Sequence, residues 1–136
     1  MAMLNYGTQI DILKGNLLGY KGAIFENLMA DFLCKSGQKL YYFHKESGLE
    51  LDFLVRFKGE CVVLEVKAKA GKAKSMTTVL KNRDVYHVNN AIKLGQYNVG
   101  REGSILTIPL YMGFLVQDKL TDAIIPDVDL GLLINI

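Results

Sequence analysis

One stretch limits what this chain can become: Glu50-Leu51-Asp52-Phe53-Leu54-Val55-Arg56-Phe57-Lys58-Gly59-Glu60-Cys61-Val62-Val63-Leu64-Glu65-Val66-Lys67. It reads as a β-hairpin, with strands over about 49–57 and 61–68 and Lys58-Gly59-Glu60 as the turn. Side chains alternate across a strand. Alternation predicts Leu49, Leu51, Phe53, Val55 and Phe57 on one face, with Glu50, Asp52 and Arg56 on the other. In the second strand Val62, Leu64 and Val66 point one way, Glu65 and Lys67 the opposite way. A strand this apolar belongs in the middle of a sheet. Burying an ion there costs several kcal/mol unless it is paired.

Two readings explain the buried charges. In the first, Asp52 and Glu65 on neighbouring strands hold one divalent cation, Mg2+ or Mn2+, which prefers oxygen ligands. Lys67, two residues on and on the same face as Glu65, then orients or helps deprotonate a water, or stabilises charge on a phosphate. Glu50 shares the face of Asp52 and is a further candidate ligand. In the second reading, Lys67 forms a structural ion pair with Glu65 or Asp52 at a sheet edge. The rest of the chain has to decide between them.

The chain has 136 residues, half of them hydrophobic, which suits one domain with a real core. Its 16 basic and 14 acidic residues nearly balance, so overall charge carries no nucleic-acid signal and only local clustering can. Two cysteines without a Cys-x-x-Cys spacing, and two histidines, argue against zinc. They fit a reduced, cytoplasmic protein. No apolar run reaches the length of a membrane span, and the N-terminus lacks the pattern of a signal peptide.

Residues 1–20 give no clear element and read as a linker or lead-in segment. A helix is predicted over 21–35, where Ile24/Phe25, Leu28/Met29 and Phe32/Leu33 recur at helical spacing and Ser36-Gly37 stops it. Glu26 has only small and apolar residues three and four positions away, so no local partner holds it. It is either a solvent-facing border residue or a third acid aimed over the sheet at Asp52 and Glu65. A strand over 39–44 pairs with the one beginning at Leu49, and leaves His44 at a strand end. From Lys67 to Arg83 there are six basic residues and no acid. Such runs are commonly solvated faces, but this one adjoins the acids. A helix over 73–81 brings its N-terminal amides to the same end of the sheet, and with Lys69, Lys72 and Lys74 makes a phosphate-binding surface. Strands are predicted over 85–91, with 92–95 as the exit, and over 104–108. Residues 98–103 read as a turn. Residues 110–116 fit a strand or a short helix, with Pro109 favouring the helix. The tail over 121–136 is apolar and acidic, and has no assignment.

The order helix, three antiparallel strands, helix, strand carries Glu26 on the first helix, Asp52 on the second strand and Glu65-Val66-Lys67 on the third. This resembles the PD-(D/E)XK nuclease superfamily, with Leu51 where its motif proline would stand. Over residues 20–118 the pieces Gly22-Ala23-Ile24-Phe25-Glu26-Asn27, Leu40-Tyr41-Tyr42-Phe43, Glu50-Leu51-Asp52-Phe53, Leu64-Glu65-Val66-Lys67, Lys74-Ser75, Ala91-Ile92-Lys93-Leu94 and Ile108-Pro109-Leu110-Tyr111 are similar to a narrower group. That group is the domain of unknown function at the C-terminus of bacterial and archaeal AAA-type ATPases. The resemblance implies that an ATPase domain normally precedes this one, and that the chain is a piece of a longer protein or a stand-alone remnant.

The expectation is therefore an α/β domain over 21–118 of restriction-endonuclease-like fold. It has a mixed central sheet flanked by helices, an αβββαβ core, and a tail over 119–136. The expected function is DNA binding and, beyond it, Mg2+-dependent DNA cleavage. In this scheme Asp52, Glu65 and Glu50 hold the metal, Glu26 is an outer acid and Lys67 the catalytic lysine. The rival expectation is a non-enzymatic recognition module of an ATPase with a vestigial site.

Overall fold

The computed structural model describes residues 10, 13–15, 20–57, 59–69 and 71–116. The predicted lead-in segment over 1–20 and the tail over 119–136 fall almost wholly outside these. The order of elements is α1 (Lys21–Lys35), β1 (Tyr41–Lys45), β2 (Leu49–Phe57), β3 (Glu60–Lys67), α2 (Lys74–Lys81), α3 (Arg83–Tyr86), β4 (Asn90–Gly95), β5 (Gly100–Glu102), β6 (Ile105–Pro109) and a 3-10 helix (Leu110–Leu115). The helix–three strands–helix–strand core is thus present, with two further strands beyond it.

Six strands form one mixed sheet in the order β1-β2-β3-β4-β6-β5. β1, β2 and β3 run antiparallel to one another, whereas β3, β4 and β6 are parallel. Register aligns Lys67 with Gly95 and Gly95 with Pro109, so the three parallel strands end side by side. In parallel α/β sheets the carboxyl ends of the strands are where ligands bind.

Each face of the sheet carries its own apolar layer. α1 sets Met29 and Leu33 against Val62, Leu64 and Val66 of β3 and Ile92 and Leu94 of β4. α2 sets Met76, Val79 and Leu80 against Val63, Val88 and Ala91 on the opposite face. Because both faces are covered, β3 reads as a continuous apolar run rather than an alternating one. Val63 and Leu64 are fully buried, and side chains of this size contribute about 1.5–3 kcal/mol each on burial.

β2 departs from the expected alternation. Phe53, Val55 and Phe57 pack on the α1 side, but Leu49 and Leu51 pack with Leu54 on the α2 side. The cause is a β-bulge. Tyr41 pairs with Leu54 and Phe43 with Leu51, so three steps on β2 face two on β1. An extra residue inverts the inside–outside phase of everything beyond it. The slip falls at Asp52-Phe53, next to the candidate acid.

Two further expectations change. Residues 85–91 were expected to be a strand with 92–95 as its exit; instead Arg83–Tyr86 is the helical turn α3, and β4 runs over Asn90–Gly95, so the expected exit is the body of the strand. His87, at φ 52°, closes that turn in the left-handed region. Tyr86 packs edge-to-face on Phe43 at 6.1 Å between centroids, a tertiary contact that outweighs the strand propensity of Val85 and Tyr86. The expected turn over 98–103 contains β5, whose polar residues Arg101 and Glu102 suit an exposed sheet edge. Residues 110–115 form a 3-10 helix with Pro109 as its cap. Gly113 sits so close to the Met29 sulfur that a side chain there would collide with it.

Candidate acidic site at the strand fork

Pairing between β2 and β3 runs from Phe57↔Glu60 to Phe53↔Leu64 and ends there. One step further Asp52 and Glu65 would face each other. Instead the strands part, β2 remaining with β1 and β3 with β4. The Asp52 carboxylate enters the gap and its Oδ2 accepts the Val66 N–H at 2.7 Å. A side chain thus takes the place of the missing ladder carbonyl, and the bulge at Asp52-Phe53 turns β2 to allow it.

Glu65 is 4% exposed, deep for a carboxylate. Its Oε1 accepts a hydrogen bond from Lys67 Nζ. Its Oε2 is buried and has no hydrogen-bond partner among the described residues. Lys67 keeps 31% of its side chain exposed, so the pair is dry at the acid and wet at the amine. Glu26 lies one helical turn before Met29 on the stripe that α1 turns to the sheet, and the backbone at Gly22 leaves room beside its Oε1.

Electrostatics joins these residues into one cluster. Burial pushes the Glu65 carboxyl up; the bond from Lys67 pulls it down, and the charges of Asp52 and Glu26 push it up again. Asp52 is also raised, by burial first, against the lowering pull of the Val66 N–H and Lys67, with Glu50 adding repulsion. Glu26 is raised by burial and by Asp52 and Glu50, against the pull of Lys67. As a residue Glu26 is exposed, so solvent screens its share most. Burial would lower Lys67, but the bond to Glu65 and the charges of Glu65, Asp52 and Glu26 outweigh it and hold the ammonium above its ordinary value. Glu26, Asp52, Glu65 and Lys67 therefore act on one another, and the charge of Glu50 acts on Glu26 and Asp52.

Among the described residues, no three His, Cys, Asp or Glu side chains are placed to close around a metal ion. Candidate donors include the Glu65 Oε2 and the Asp52 oxygen that Val66 does not engage. Two carboxylates suit Mg2+, which keeps several waters and commonly takes one or two protein carboxylates plus phosphate oxygens.

The lysines divide. Lys69, Lys72 and Lys74 are all exposed. Lys72 and Lys74 line a groove of about 500 Å³ with Thr77, Lys93 and Thr107. On α2, Ser75 Oγ accepts the Glu50 backbone N–H at 3.4 Å. Sequence reading missed the residues that hold the intervening loop. Lys93 Nζ donates to the Gly71 carbonyl at 2.5 Å, and the Gly71 N–H donates to Tyr97 Oη at 3.2 Å. Lys93 also sits 4.5 Å from the centroid of the Tyr97 ring. Tyr97 follows a strand end and has no periodic signal, so only its spacing from Gly95 could have marked it.

A match to the family described as domain of unknown function DUF4143 spans residues 21–112, more than half of the chain. The chain belongs to the DUF4143 family. No curated protein and no solved structure matches it. The family match covers every element from α1 into the 3-10 helix, and every residue of the acidic cluster. Among the described residues, no helix is long and apolar enough to cross a membrane.

Proposed function

We propose that this DUF4143 domain binds DNA and hydrolyses its phosphodiester bonds with Mg2+ or Mn2+, as a nuclease-like partner of an AAA-type ATPase domain. The observation that carries this reading is the orphaned Glu65 Oε2. A buried carboxylate oxygen without a donor calls for an explanation, and an ion is one that also suits its neighbour Asp52. Three acids with raised proton affinity around a single ammonium form an arrangement that a cation would relieve.

In this reading Asp52 and Glu65 hold the metal and Glu50 is a further ligand. The bound ion supplies a water of lowered pKa and neutralises charge on the scissile phosphate. Glu26 accepts a proton or orients that water from the helix side. Lys67, fixed by Glu65 and partly in solvent, presents its ammonium to the developing negative charge. Lys69, Lys72 and Lys74 hold the phosphates that flank the cleaved one.

The test is nicking of supercoiled plasmid with Mg2+ or Mn2+, with EDTA as control. Glu65→Gln and Lys67→Met should each abolish nicking. Activity that survives both substitutions would end the proposal.

One observation favours a second reading. The shortage of a third carboxylate placed around a metal fits a non-enzymatic module of an ATPase that keeps a vestigial site. Metal-independent DNA binding by a protein that never cleaves would support it.

A further inference from the structure

A second groove, of about 520 Å³, opens at the carboxyl ends of β4 and β6, and Phe25, Gln96, Tyr97, Asn98 and Tyr111 contribute to its walls. None of these residues belongs to the acidic cluster, yet the groove adjoins it twice. Phe25 precedes Glu26 on α1, and Gly95, in the groove floor, is the register partner of Lys67. The wall is closely packed at Gly95 and Tyr97. Gly95 lies so near its surroundings that a Cβ would stand 2.5 Å from the Lys67 carbonyl and 2.7 Å from the Tyr97 ring. Tyr97 is also tied to Gly71 through its hydroxyl. Tyr111, by contrast, is 75% exposed at the lip.

We propose that this groove holds an unpaired base of the DNA strand, stacked on Tyr97 and Tyr111, so that the domain acts on single-stranded or frayed DNA. The inference rests on the DNA-cleaving reading and adds its substrate class. Aromatic rings offer every base a stacking face. The carboxamides of Gln96 and Asn98 supply both donors and acceptors, the mixture that a base edge presents. One cation stands beside the groove: Lys21 Nζ lies 5.5 Å from the centroid of Phe25. A base locked in a duplex could not enter, because it would first have to leave its stack.

The experiment is fluorescence anisotropy in EDTA, so that nothing is cleaved. It uses a labelled oligo-dT strand, a blunt duplex of equal length, and the corresponding ribo-oligonucleotide. The single strand should bind tighter than the duplex. Tyr111→Ala, at an exposed position, should weaken single-strand binding about fivefold or more and leave duplex binding unchanged. The chain has no tryptophan, so Tyr111→Trp adds a single reporter whose emission should be quenched by the strand. Unchanged single-strand affinity in Tyr111→Ala, or an unquenched Tyr111→Trp, would overturn the groove while DNA binding through the lysines stood. Failure to bind either DNA at low salt would overturn both proposals. Distinctly tighter binding of the ribo-oligonucleotide would overturn the choice of DNA.

Discussion

The Val66 N–H donates to Asp52 Oδ2 at 2.7 Å across the point where β2 and β3 stop pairing. This one bond gives Asp52 a structural duty besides any role in metal binding, and the two duties separate by mutation. Asp52→Asn keeps an acceptor for Val66 and removes a charge that repels Glu26 and Glu65. Its stability in EDTA should match or exceed that of the parent. Asp52→Ala leaves the buried Val66 N–H unpaired and should cost about 1–3 kcal/mol in urea unfolding. Equal losses in both variants would mean that charge, not the hydrogen bond, holds the fork.

The Glu65–Lys67 pair is unequal in burial, and its two halves should respond unequally. Lys67→Met strips the buried Glu65 of its donor. Breaking a fully buried pair costs about 3–5 kcal/mol, but Lys67 is partly in solvent, so a loss of roughly 2 kcal/mol is expected near pH 8. That loss should shrink as the pH falls and Glu65 takes up a proton. Glu65→Gln removes a charge that Asp52 and Glu26 disfavour, and leaves the lysine free to reach water. In EDTA it should lie within about 1 kcal/mol of the parent. Large and similar losses in both variants would identify a plain structural ion pair and count against the metal site.

Gly95 joins the acidic cluster to the neighbouring groove by close approach. Gly95→Ala forces the Lys67 carbonyl or the Tyr97 ring to move, and overpacking of this kind costs typically about 1–3 kcal/mol. A thermal melt lowered by several degrees is expected. An unchanged melt would show that the β3–β4 edge yields more easily than its geometry indicates.

Much of this architecture was legible because its signals are local. Ile24/Phe25, Leu28/Met29 and Phe32/Leu33 gave α1 to the residue, and the 49–57 run gave β2. Glu26, Asp52, Glu65 and Lys67 were legible as a set because charged residues in apolar elements need an explanation, whatever it is. What escaped depends on distant partners. The bulge that moves Leu49 and Leu51 to the α2 face arises from pairing with β1, and no feature of β2 alone announces it. Tyr86 turned helical because Phe43 receives it, and Arg101 and Glu102 became a strand because β6 offers an edge. Tyr97 acquires its place only once Gly71 and Lys93 are beside it.

The exposed lysines provide a test that needs no cleavage. Lys69, Lys72 and Lys74 replaced together by Ala should flatten the log–log salt dependence of DNA binding by about 2–3 units, near one per lost phosphate contact. Lys93 is left intact because it holds the Gly71 carbonyl. An unaltered slope would reduce the three lysines to a solvated face.

The raised acids also fix the sign of two pH effects. Asp52 and Glu65 bind protons more tightly in the folded protein than their ordinary values allow. Between the ordinary carboxylate pKa, about 4, and the raised folded value, the native state therefore holds more protons than the unfolded state. In that window the contribution of these groups to stability falls as pH rises. Lys67, raised as well, contributes stability that persists until the pH climbs through its own folded pKa, beyond this window. In EDTA, the stability of the parent relative to Glu65→Gln should therefore decline from about pH 4 upward and level off once the acids are ionised. Mg2+ must displace those same protons to bind, so its effect has the opposite slope. The gain in melting temperature on adding excess Mg2+ should be small while the acids are protonated and larger once they are ionised. It should vanish in Glu65→Gln and Asp52→Asn. A gain independent of pH, or one that survives both substitutions, would place the ion elsewhere and leave the fork as a structural network of acids around one lysine.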